Sequence, residues 1–201
     1  DHEPLLDRGI YRWWFFGVLV TSVINNVHGN SAPSEWIKAK LDSINHPISS
    51  AIDIASGAGR HSLLLADKAP SVTAVDRNPE LFKYFENTPV RFQCLDLEKE
   101  DWPMSGDTFD VVLVSNYLYR PHLSSLIGLV GPSGYLIYET FGIGNERFGK
   151  PSNPHFLLRP EELEGSVGNG FMFLDDFFGE VTTPKLAVRA RVFAQRVEPE
   201  I

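Results

Sequence analysis

The stretch Ala51-Ile52-Asp53-Ile54-Ala55-Ser56-Gly57-Ala58-Gly59-Arg60-His61 decides the fold of this chain. Its apolar first half predicts a buried strand that stops at a small, glycine-containing turn, and the residues after the turn predict a helix. A strand that turns directly into a helix leaves free backbone N–H groups at the helix N-terminus, where polar ligand groups bind. Glycine in the turn lets a ligand approach the backbone closely. The stretch therefore predicts a binding site for a nucleotide-like cofactor.

Length and composition describe an ordinary globular chain. The 201 residues are 43% hydrophobic and 22% charged, which is typical of one domain with a substantial core. The formal net charge of -8 argues against a general affinity for nucleic acid or for an anionic membrane surface. The lone cysteine, Cys94, has no internal disulfide partner, and its apolar neighbours predict a buried packing thiol.

The N-terminal segment differs from the rest of the sequence. Residues 13–20 are strongly apolar, but this run is shorter than the about 20 residues that a membrane span needs. Residues 1–30 also lack the layout of a signal peptide, so we expect a cytoplasmic protein. We expect this segment to be an apolar helix that packs on the domain or covers a pocket, with a partner-binding segment as the alternative. Residues 31–201 are expected to form the main domain.

Strand and helix patterns alternate along this domain. Strands are predicted at 51–55, 71–76, 90–94, 109–114 and 134–139. Helices are predicted at 34–41, 60–69, 79–87 and 121–130, the last closed by Gly131-Pro132. Two further β-like runs, 171–178 and 186–197, are separated by a short turn and predict an antiparallel hairpin. The fold class is therefore α/β, with a Rossmann-like, doubly wound, mainly parallel seven-stranded sheet and an antiparallel C-terminal hairpin.

Polar residues stand at the carboxyl ends of the predicted strands, where an open parallel sheet binds its ligands. Asp76-Arg77-Asn78 ends the second strand, Asp96-Leu97 the third, and residues 115–120 follow the fourth. A carboxylate such as Asp76 can accept hydrogen bonds from both hydroxyls of a ribose, and Asp96 with Leu97 offers an adenine ring a polar contact and an apolar wall. Each element alone is also common in structural turns and helix caps. Their occurrence in this order favours a cofactor site.

At this point the chain resembles the class I S-adenosylmethionine-dependent methyltransferases. Their motif acid-x-x-x-G-x-G is matched by Asp53, Gly57 and Gly59. The resemblance implies that S-adenosylmethionine is the cofactor, with the glycine turn against its amino-acid end, Asp53 orienting that end and Asp76 on the ribose. The cofactor-binding residues implied in this way are Asp53, Ala55, Gly57, Ala58, Gly59, Asp76, Arg77, Asn78, Asp96, Leu97, Asn116, Tyr117 and Leu118.

Within that family the sequence is similar to small bacterial members related to tellurite-resistance methyltransferases. The segments 57–61, 139–141, 145–151 and 156–163 carry this likeness. The implied activity is transfer of a methyl group from S-adenosylmethionine to a small-molecule acceptor by in-line displacement. Because a sulfonium is an activated donor, positioning and removal of water are the main catalytic means, and no catalytic base is assigned.

The long loop 141–158 follows a strand on the ligand side, which predicts a lid over the acceptor pocket. A well-packed connector is the alternative. The predicted acceptor-binding residues in or near this loop are Tyr119, Arg120, Asn145 and Arg147, with Tyr117 beside them.

Several other polar residues receive a structural interpretation. His61 lies in the first helical turn, which favours packing or capping over catalysis. Arg189 and Arg191 alternate with apolar residues on the last strand, so we expect them on a solvated face, with an anion site as the alternative. His and Cys residues are too scattered for a zinc site, and no metal is predicted.

Two other functions remain open from the residues alone. A nicotinamide-dependent oxidoreductase would share the glycine turn, but its fingerprint needs a third glycine where Ser62 stands. A cofactor-binding module without catalysis would share the whole pattern. Methylation of DNA adenine is disfavoured because residues 116–119 lack the paired prolines of that motif.

Overall fold

Seven strands form one mixed sheet in the part of the chain that the structure, a computed structural model, describes: residues 32–104 and 106–197. The apolar segment predicted to be a helix or lid lies outside the described residues. The strands are β1 (Ser50–Ile54), β2 (Ser71–Asp76), β3 (Val90–Cys94), β4 (Phe109–Ser115), β5 (Val130–Phe141), β6 (Phe171–Val181) and β7 (Ala187–Arg196).

The strand order in the sheet is β3-β2-β1-β4-β5-β7-β6. Strands β1 to β5 pair in parallel, and β7 pairs antiparallel with both β5 and β6. The order reverses between β1 and β4, which is the switch point where open α/β sheets bind ligands. The predicted fold class, including the antiparallel C-terminal hairpin, is confirmed.

Helices cover both faces of this sheet. They are α1 (Glu35–Ser43), α2 (Ser62–Ala66), α3 (Leu123–Gly128) and α4 (Glu162–Val167). Short 3-10 helices span Pro79–Tyr84, Arg120–His122, Asn145–Arg147, Pro154–Phe156 and Gly168–Gly170.

The two faces of β1 show how the layers are built. Ile52 and Ile54 join a large apolar cluster with the buried residues of α3 and α4. The residue between them, Asp53, points to the opposite face and meets Ser62 of α2. Because both faces are covered, the central strands are almost entirely apolar, as in other parallel sheets.

Helix α1 lies on the same face as α2. Its N-cap is Ser34, as predicted, and its buried side chains are Ile37 and Leu41. Trp36 donates a hydrogen bond to Asp175 on β6, and Lys40 forms an ion pair of 2.6 Å with the same carboxylate. These contacts fix α1 across the antiparallel end of the sheet.

The helix predictions were too long in three places. The helix predicted over 60–69 is only α2, and 79–87 forms a 3-10 helix that ends at Tyr84. The helix predicted over 121–130 begins as a 3-10 turn and ends at Gly128, because Val130 already pairs with Phe109 of β4. Gly131-Pro132 therefore lies in β5 and does not close the helix. Tertiary strand pairing overrides the local helical pattern here.

Cys94 is exposed, so the prediction of a buried packing thiol was wrong. It ends β3, an edge strand of the sheet, where only one neighbouring strand covers the backbone. In the described residues, no helix is both long enough and apolar enough to cross a membrane.

The turn between β1 and α2 uses backbone angles that favour glycine. Gly57 has a φ of +56° and Gly59 a φ of +82°. A Cβ on Gly59 would lie 2.5 Å from the ring of Phe85, whereas a Cβ on Gly57 would meet nothing within 4 Å. Phe85 is itself buried and stacked on Phe92, so its ring has little room to move. Gly59 is thus required by packing, and Gly57 faces open space.

This difference predicts unequal costs for the same substitution. Gly57→Ala should lower the free energy of unfolding by about 1–2 kcal/mol, the cost of a left-handed residue with a Cβ. Gly59→Ala should cost about 1–3 kcal/mol more, because overpacking against Phe85 is added. Urea denaturation of the two variants measures the difference. Equal destabilisation would show that the Phe85 contact does not constrain the turn.

Candidate functional site: the carboxyl edge of the sheet

The Asp76 carboxylate joins the ends of β1 and β2. Its Oδ2 accepts a hydrogen bond of 2.9 Å from the N–H of Gly57, and its Oδ1 accepts one of 3.0 Å from the N–H of Asn78. The side chain is only half-buried, so the carboxylate also faces the solvent side of the edge. Asp76 therefore both fixes the glycine turn and presents an acceptor where a ligand would lie.

A cavity of about 150 Å³ opens beside this carboxylate. Its lining residues are Ala55, Asp76, Arg77, Leu95, Asp96, Leu97, Glu98 and Tyr117. Six of them are among the predicted cofactor-binding residues. Leu95 and Glu98 were missed, although their position on either side of Asp96-Leu97 was a signal that could have identified them. The cavity combines carboxylates at its rim with an apolar wall that includes the buried Leu97.

Tyr117 brings an unsatisfied polar atom to this cavity. Its hydroxyl is buried and has no hydrogen-bond partner in the described part of the chain. Its main chain is held by Tyr138, whose hydroxyl donates to the Tyr117 carbonyl at 2.8 Å. Burial, together with the charges of Glu98 and Asp96, raises the pKa of Tyr117, so the phenol stays protonated. A buried hydroxyl without a partner is costly and indicates a place for a ligand group.

Asp53 lies behind the turn and does not line the cavity. Only 1% of it is exposed, and its Oδ2 accepts a hydrogen bond of 2.6 Å from the Ser62 hydroxyl. Burial raises the pKa of Asp53 to about 7, against the opposing effects of the Ser62 hydrogen bond and the Arg60 charge. The Asp53 carboxyl therefore titrates near neutral pH. Its hydrogen-bond partner, Ser62, is the first residue of α2.

The other predicted cofactor-binding residues are arranged around the cavity. Asn78 caps the 3-10 helix after β2 and Leu118 is buried in the apolar cluster. Gly57, Ala58 and Gly59 form the turn, and Asn116 follows β4 with a φ of +57°. None of these lines the cavity itself.

His61 has a structural role, as predicted. It is 2% exposed, and its Nε2 accepts a hydrogen bond of 3.0 Å from the N–H of Ser34. Burial, with the Arg60 charge, lowers the pKa of His61 to about 3, so the ring is neutral at physiological pH. A neutral imidazole that accepts a backbone N–H ties the turn to the start of α1.

Arg120 holds the loop that was predicted to form a lid. Its Nε and Nη2 donate to the Glu162 carboxylate, and Nη1 and Nη2 donate to the carbonyls of His155 and Leu157. The Glu162 bond raises the pKa of Arg120, and the Arg120 bond lowers the pKa of Glu162. The guanidinium of Arg120 therefore joins the loop to helix α4, and it does not line the cavity.

The other predicted acceptor-binding residues are also engaged within the protein. Asn145 is 2% exposed; its amide nitrogen donates to the Pro151 carbonyl and its amide oxygen accepts from the Val188 N–H. Arg147 is exposed and forms an ion pair of 2.9 Å with Glu180. Tyr119 packs against His122, with 5.4 Å between the ring centroids. The contacts of the loop are those of a packed connector, the alternative that the sequence left open.

The prediction that Arg189 and Arg191 lie on a solvated face was wrong. Arg189 is 9% exposed and Arg191 pairs with Glu139, itself 4% exposed, at 2.6 Å. Arg189 lies 3.9 Å over the ring of Phe141 and donates to the Asn116 amide oxygen at 2.5 Å. Arg191 also lies over the ring of Trp36, so helix α1 covers this face of β7. The alternation of residues along the strand could not reveal this cover.

Comparison with known proteins identifies a domain and a fold. Residues 51–128 match the family model described as a methyltransferase domain. No curated protein matches the chain. TehB from Haemophilus influenzae has a similar structure, with a TM-score of 0.65 at 18% identity, and the alignment covers 84% of this chain and 64% of that chain.

Two other similar structures contain bound S-adenosylhomocysteine. N-methyltransferase NodS from Bradyrhizobium japonicum WM9, in complex with S-adenosylhomocysteine, aligns with a TM-score of 0.61 at 15% identity, over 89% of this chain and 98% of that chain. The plantazolicin methyltransferase BpumL was solved in complex with a triazolic desmethylPZN analog and S-adenosylhomocysteine. It aligns with a TM-score of 0.63 at 13% identity, over 92% of this chain and 93% of that chain. These structures share the fold of this chain. The family match confirms the predicted resemblance to methyltransferases over residues 51–128, and the similar structures confirm the fold.

The raised pKa of Asp53 predicts how stability depends on pH. The unfolded carboxyl has an ordinary pKa near 3.8, whereas the folded one titrates at about 7. Between these values the folded state binds more protons, so this group's contribution is fully present at low pH and is lost as pH rises through 7. Asp53→Asn removes this titration. We expect the stability of the variant relative to wild type to rise by about 2–3 kcal/mol from about pH 5 to about pH 7.5, at about 1.4 kcal/mol per pH unit.

Chemical denaturation at several pH values measures this difference. Ser62→Ala is the control, because it removes the hydrogen-bond partner but leaves the titrating carboxyl in place. A constant stability difference between wild type and Asp53→Asn over this range would contradict the assignment.

Proposed function

We propose that this chain, which carries a methyltransferase domain over residues 51–128, transfers a methyl group from S-adenosylmethionine to a small-molecule acceptor. The observation that carries the proposal is the cavity at the ends of β1 to β3, where Asp76, Leu97 and the unsatisfied Tyr117 hydroxyl meet. The lining of this cavity suits a nucleoside. Its carboxylates can accept hydrogen bonds from hydroxyl groups, and its apolar wall can contact a ring. A polar group of the ligand would give the Tyr117 hydroxyl its missing hydrogen bond.

The residues present fit the cofactor. We assign Asp76 to the ribose hydroxyls and the wall of Leu95 and Leu97 to the adenine ring. The open space over Gly57 leaves its backbone accessible to the amino-acid end. A cavity of about 150 Å³ is smaller than the about 300–1,000 Å³ of a complete ligand site, so it accounts for part of the cofactor, and the rest lies over the turn. Asp53 orients that turn through Ser62.

The chain's contribution to the reaction is placement and exclusion of water. When bound, S-adenosylmethionine supplies a methyl group on a positively charged sulfur, and transfer leaves S-adenosylhomocysteine. The protein fixes the segment after β4 through Tyr138 and Arg189, which hold the Tyr117 carbonyl and the Asn116 amide. We propose that these residues orient the two reactants, since orientation contributes a large part of catalysis when the donor is already activated.

The acceptor-binding residues are revised on the same grounds. Arg120 and Asn145 have their polar groups bonded to the loop, so we propose that they position it. Tyr119 stays a proposed contact with the acceptor, and Arg147 a residue of the loop surface. The acidic chain and the absence of basic tracts favour a small molecule over a nucleic acid, and we propose a cytoplasmic enzyme.

The two alternatives differ in measurable ways. Ser62 stands where a nicotinamide fingerprint has glycine, and its side chain is buried against Asp53. Calorimetric titration with S-adenosylmethionine and with NADH separates a methyltransferase from an oxidoreductase. Formation of S-adenosylhomocysteine with a panel of thiols, amines, hydroxyl compounds and oxyanions separates an enzyme from a binding module. Binding of NADH alone would overturn the proposal.

Substitution of Asp76 tests the ribose contact. Asp76→Asn should weaken binding of S-adenosylhomocysteine by about 1.5–3 kcal/mol, the range for hydrogen bonds to a charged group, as measured by calorimetry. The matched control is Asp110→Asn. Asp110 also accepts two backbone N–H groups, from Ser49 and Ser50, but at the amino end of the sheet. Equal affinities in both variants would remove Asp76 from the site.

Removal of the Tyr117 hydroxyl should separate stability from binding. In Tyr117→Phe the unsatisfied buried group is gone, so we expect the free protein to be as stable as wild type or up to about 1–3 kcal/mol more stable. Binding of S-adenosylhomocysteine should weaken, because the ligand loses a hydrogen-bond partner. Tyr138→Phe is the comparison, since its hydroxyl is bonded within the protein and its loss should lower stability. A Tyr117→Phe protein that is less stable but binds normally would contradict this role.

A further inference from the structure

One histidine at the carboxyl edge of the sheet is held in a defined orientation by its neighbours. His122 ends the 3-10 helix Arg120–His122 and directly precedes α3. Its imidazole packs against two aromatic rings, with 5.4 Å to the ring centroid of Tyr119 and 5.5 Å to that of Trp102. These contacts restrict rotation of the imidazole, although the residue is only half-buried and stays accessible to a small molecule.

A hydrogen bond determines which nitrogen of this ring carries a proton. Nε2 lies 2.6 Å from the carbonyl oxygen of Lys99. A carbonyl oxygen only accepts, so Nε2 carries the hydrogen, and the neutral ring keeps its lone pair on Nδ1. In the described part of the chain Nδ1 has no hydrogen-bond partner, and it does not cap α3. The fold thus fixes the ring through one nitrogen and leaves the other as a free base.

The position of His122 connects the cavity with the side where the acceptor is proposed to bind. Lys99 directly follows Glu98, which lines the cavity. Tyr119, the proposed contact with the acceptor, comes two residues after the cavity-lining Tyr117. His122 touches both segments, through the Lys99 carbonyl and the Tyr119 ring. The imidazole therefore lies next to a wall of the cavity and next to the proposed acceptor contact.

The other histidines among the described residues lack this combination. His61 is buried, and its Nε2 accepts a hydrogen bond from a backbone N–H. His46 is exposed and precedes β1, at the amino edge of the sheet. His155 is exposed in the loop 141–158, and no hydrogen bond to its ring orients it within the described residues. In this part of the chain, only His122 has both a fixed ring and a free basic nitrogen at the carboxyl edge.

We propose that His122 is the general base of the methyl transfer, and that the acceptor atom is a sulfur or oxygen that carries a proton when it binds. Nδ1 takes this proton, and the electron pair left on the acceptor atom forms the bond to the methyl carbon. The bond between that carbon and the sulfur of the donor breaks, and its electrons stay on the sulfur of S-adenosylhomocysteine. The imidazolium then gives its proton to water. This inference rests on the proposed function, because it names the class of acceptor for the same reaction.

The surroundings of His122 support this step. The Lys99 carbonyl accepts from Nε2, and this hydrogen bond becomes stronger when the ring is positively charged. In other catalytic histidines the second ring nitrogen is likewise oriented by a neighbouring acceptor. A positioned base accelerates a reaction about 100-fold to 10,000-fold, which is an effect large enough to measure with a single substitution.

Two acceptors and one matched variant test the proposal. Benzyl mercaptan carries its proton at neutral pH, whereas para-nitrothiophenol is already a thiolate and needs no base. In His122→Gln the side-chain amide can still donate to the Lys99 carbonyl, but the basic nitrogen is gone. We expect this variant to lose about 100-fold or more in kcat/KM with benzyl mercaptan, and less than about threefold with para-nitrothiophenol. His46→Gln, the same change at the amino edge, should leave both values unaltered.

Equal losses with the two acceptors would show that His122 only holds the segment after β3, and would overturn the proposal. Full activity of His122→Gln with benzyl mercaptan would overturn it as well. A structural role alone would lower the affinity for S-adenosylhomocysteine, because the Lys99 segment adjoins the cavity. We therefore expect the variant to bind S-adenosylhomocysteine as wild type does in calorimetric titration.

A measurement on wild type covers the case in which the glutamine variant does not fold. NMR of the imidazole nitrogens in the S-adenosylhomocysteine complex should show a protonated Nε2 and an unprotonated Nδ1 on His122. Addition of benzyl mercaptan should shift the Nδ1 resonance, because the thiol donates a hydrogen bond to it. A protonated Nδ1, or an Nδ1 resonance that the thiol leaves unchanged, would overturn the proposal.

Failure of this inference can be told from failure of the proposed function. Wild type that binds S-adenosylmethionine but methylates neither thiol would overturn the inference. Methylation only of acceptors without a proton, such as dimethyl sulfide or a tertiary amine, would overturn it and leave the methyltransferase intact. Wild type that binds no S-adenosylmethionine in calorimetric titration would refute the proposed function, and the role of His122 with it.

Discussion

Helices cover both faces of the central strands, and the rest of the structure depends on this constraint. Strands β1, β4 and β5 have helices on each side, so their interior positions are apolar and fully buried. A polar side chain in such a strand must find a partner within the layer, as Asp53 does with Ser62. The remaining polar groups are displaced to the strand ends. The site at the carboxyl edge therefore follows from how the core is built.

At this edge the same side chains serve the fold and the proposed chemistry. Asp76 fixes the Gly57 turn by accepting its N–H, and it also presents a carboxylate to the cavity. His61 joins the turn to α1 as a neutral acceptor. Arg189 holds the Asn116 amide by donating to its oxygen. This dual use keeps the site defined, because the hydrogen bonds that shape each turn also orient its functional groups.

Polar residues far apart in sequence divide into two groups once folded. The acids after β2 and β3 gather around the cavity, and Arg189 of β7 donates a hydrogen bond to Asn116 at the end of β4. The first group suits the hydroxyl groups and the ring of a nucleoside. The proposed reaction would take place next to it, near the segment after β4. The loop 141–158 closes the region as a packed wall, held by Arg120 and Asn145.

The sequence by itself determined the succession of the strands, the antiparallel C-terminal hairpin, the glycine turn and most of the residues that line the cavity. Alternating apolar runs and turn residues are local signals, and strand ends in a parallel sheet fall on one edge whatever the details of packing. The sequence did not determine the lengths of α2 and α3, because pairing of Val130 with Phe109 ended one of them. It also did not reveal the environments of Cys94, Arg189 and Asn145. Those depend on which strand lies at an edge and which helix crosses which face, so only the tertiary structure decided them.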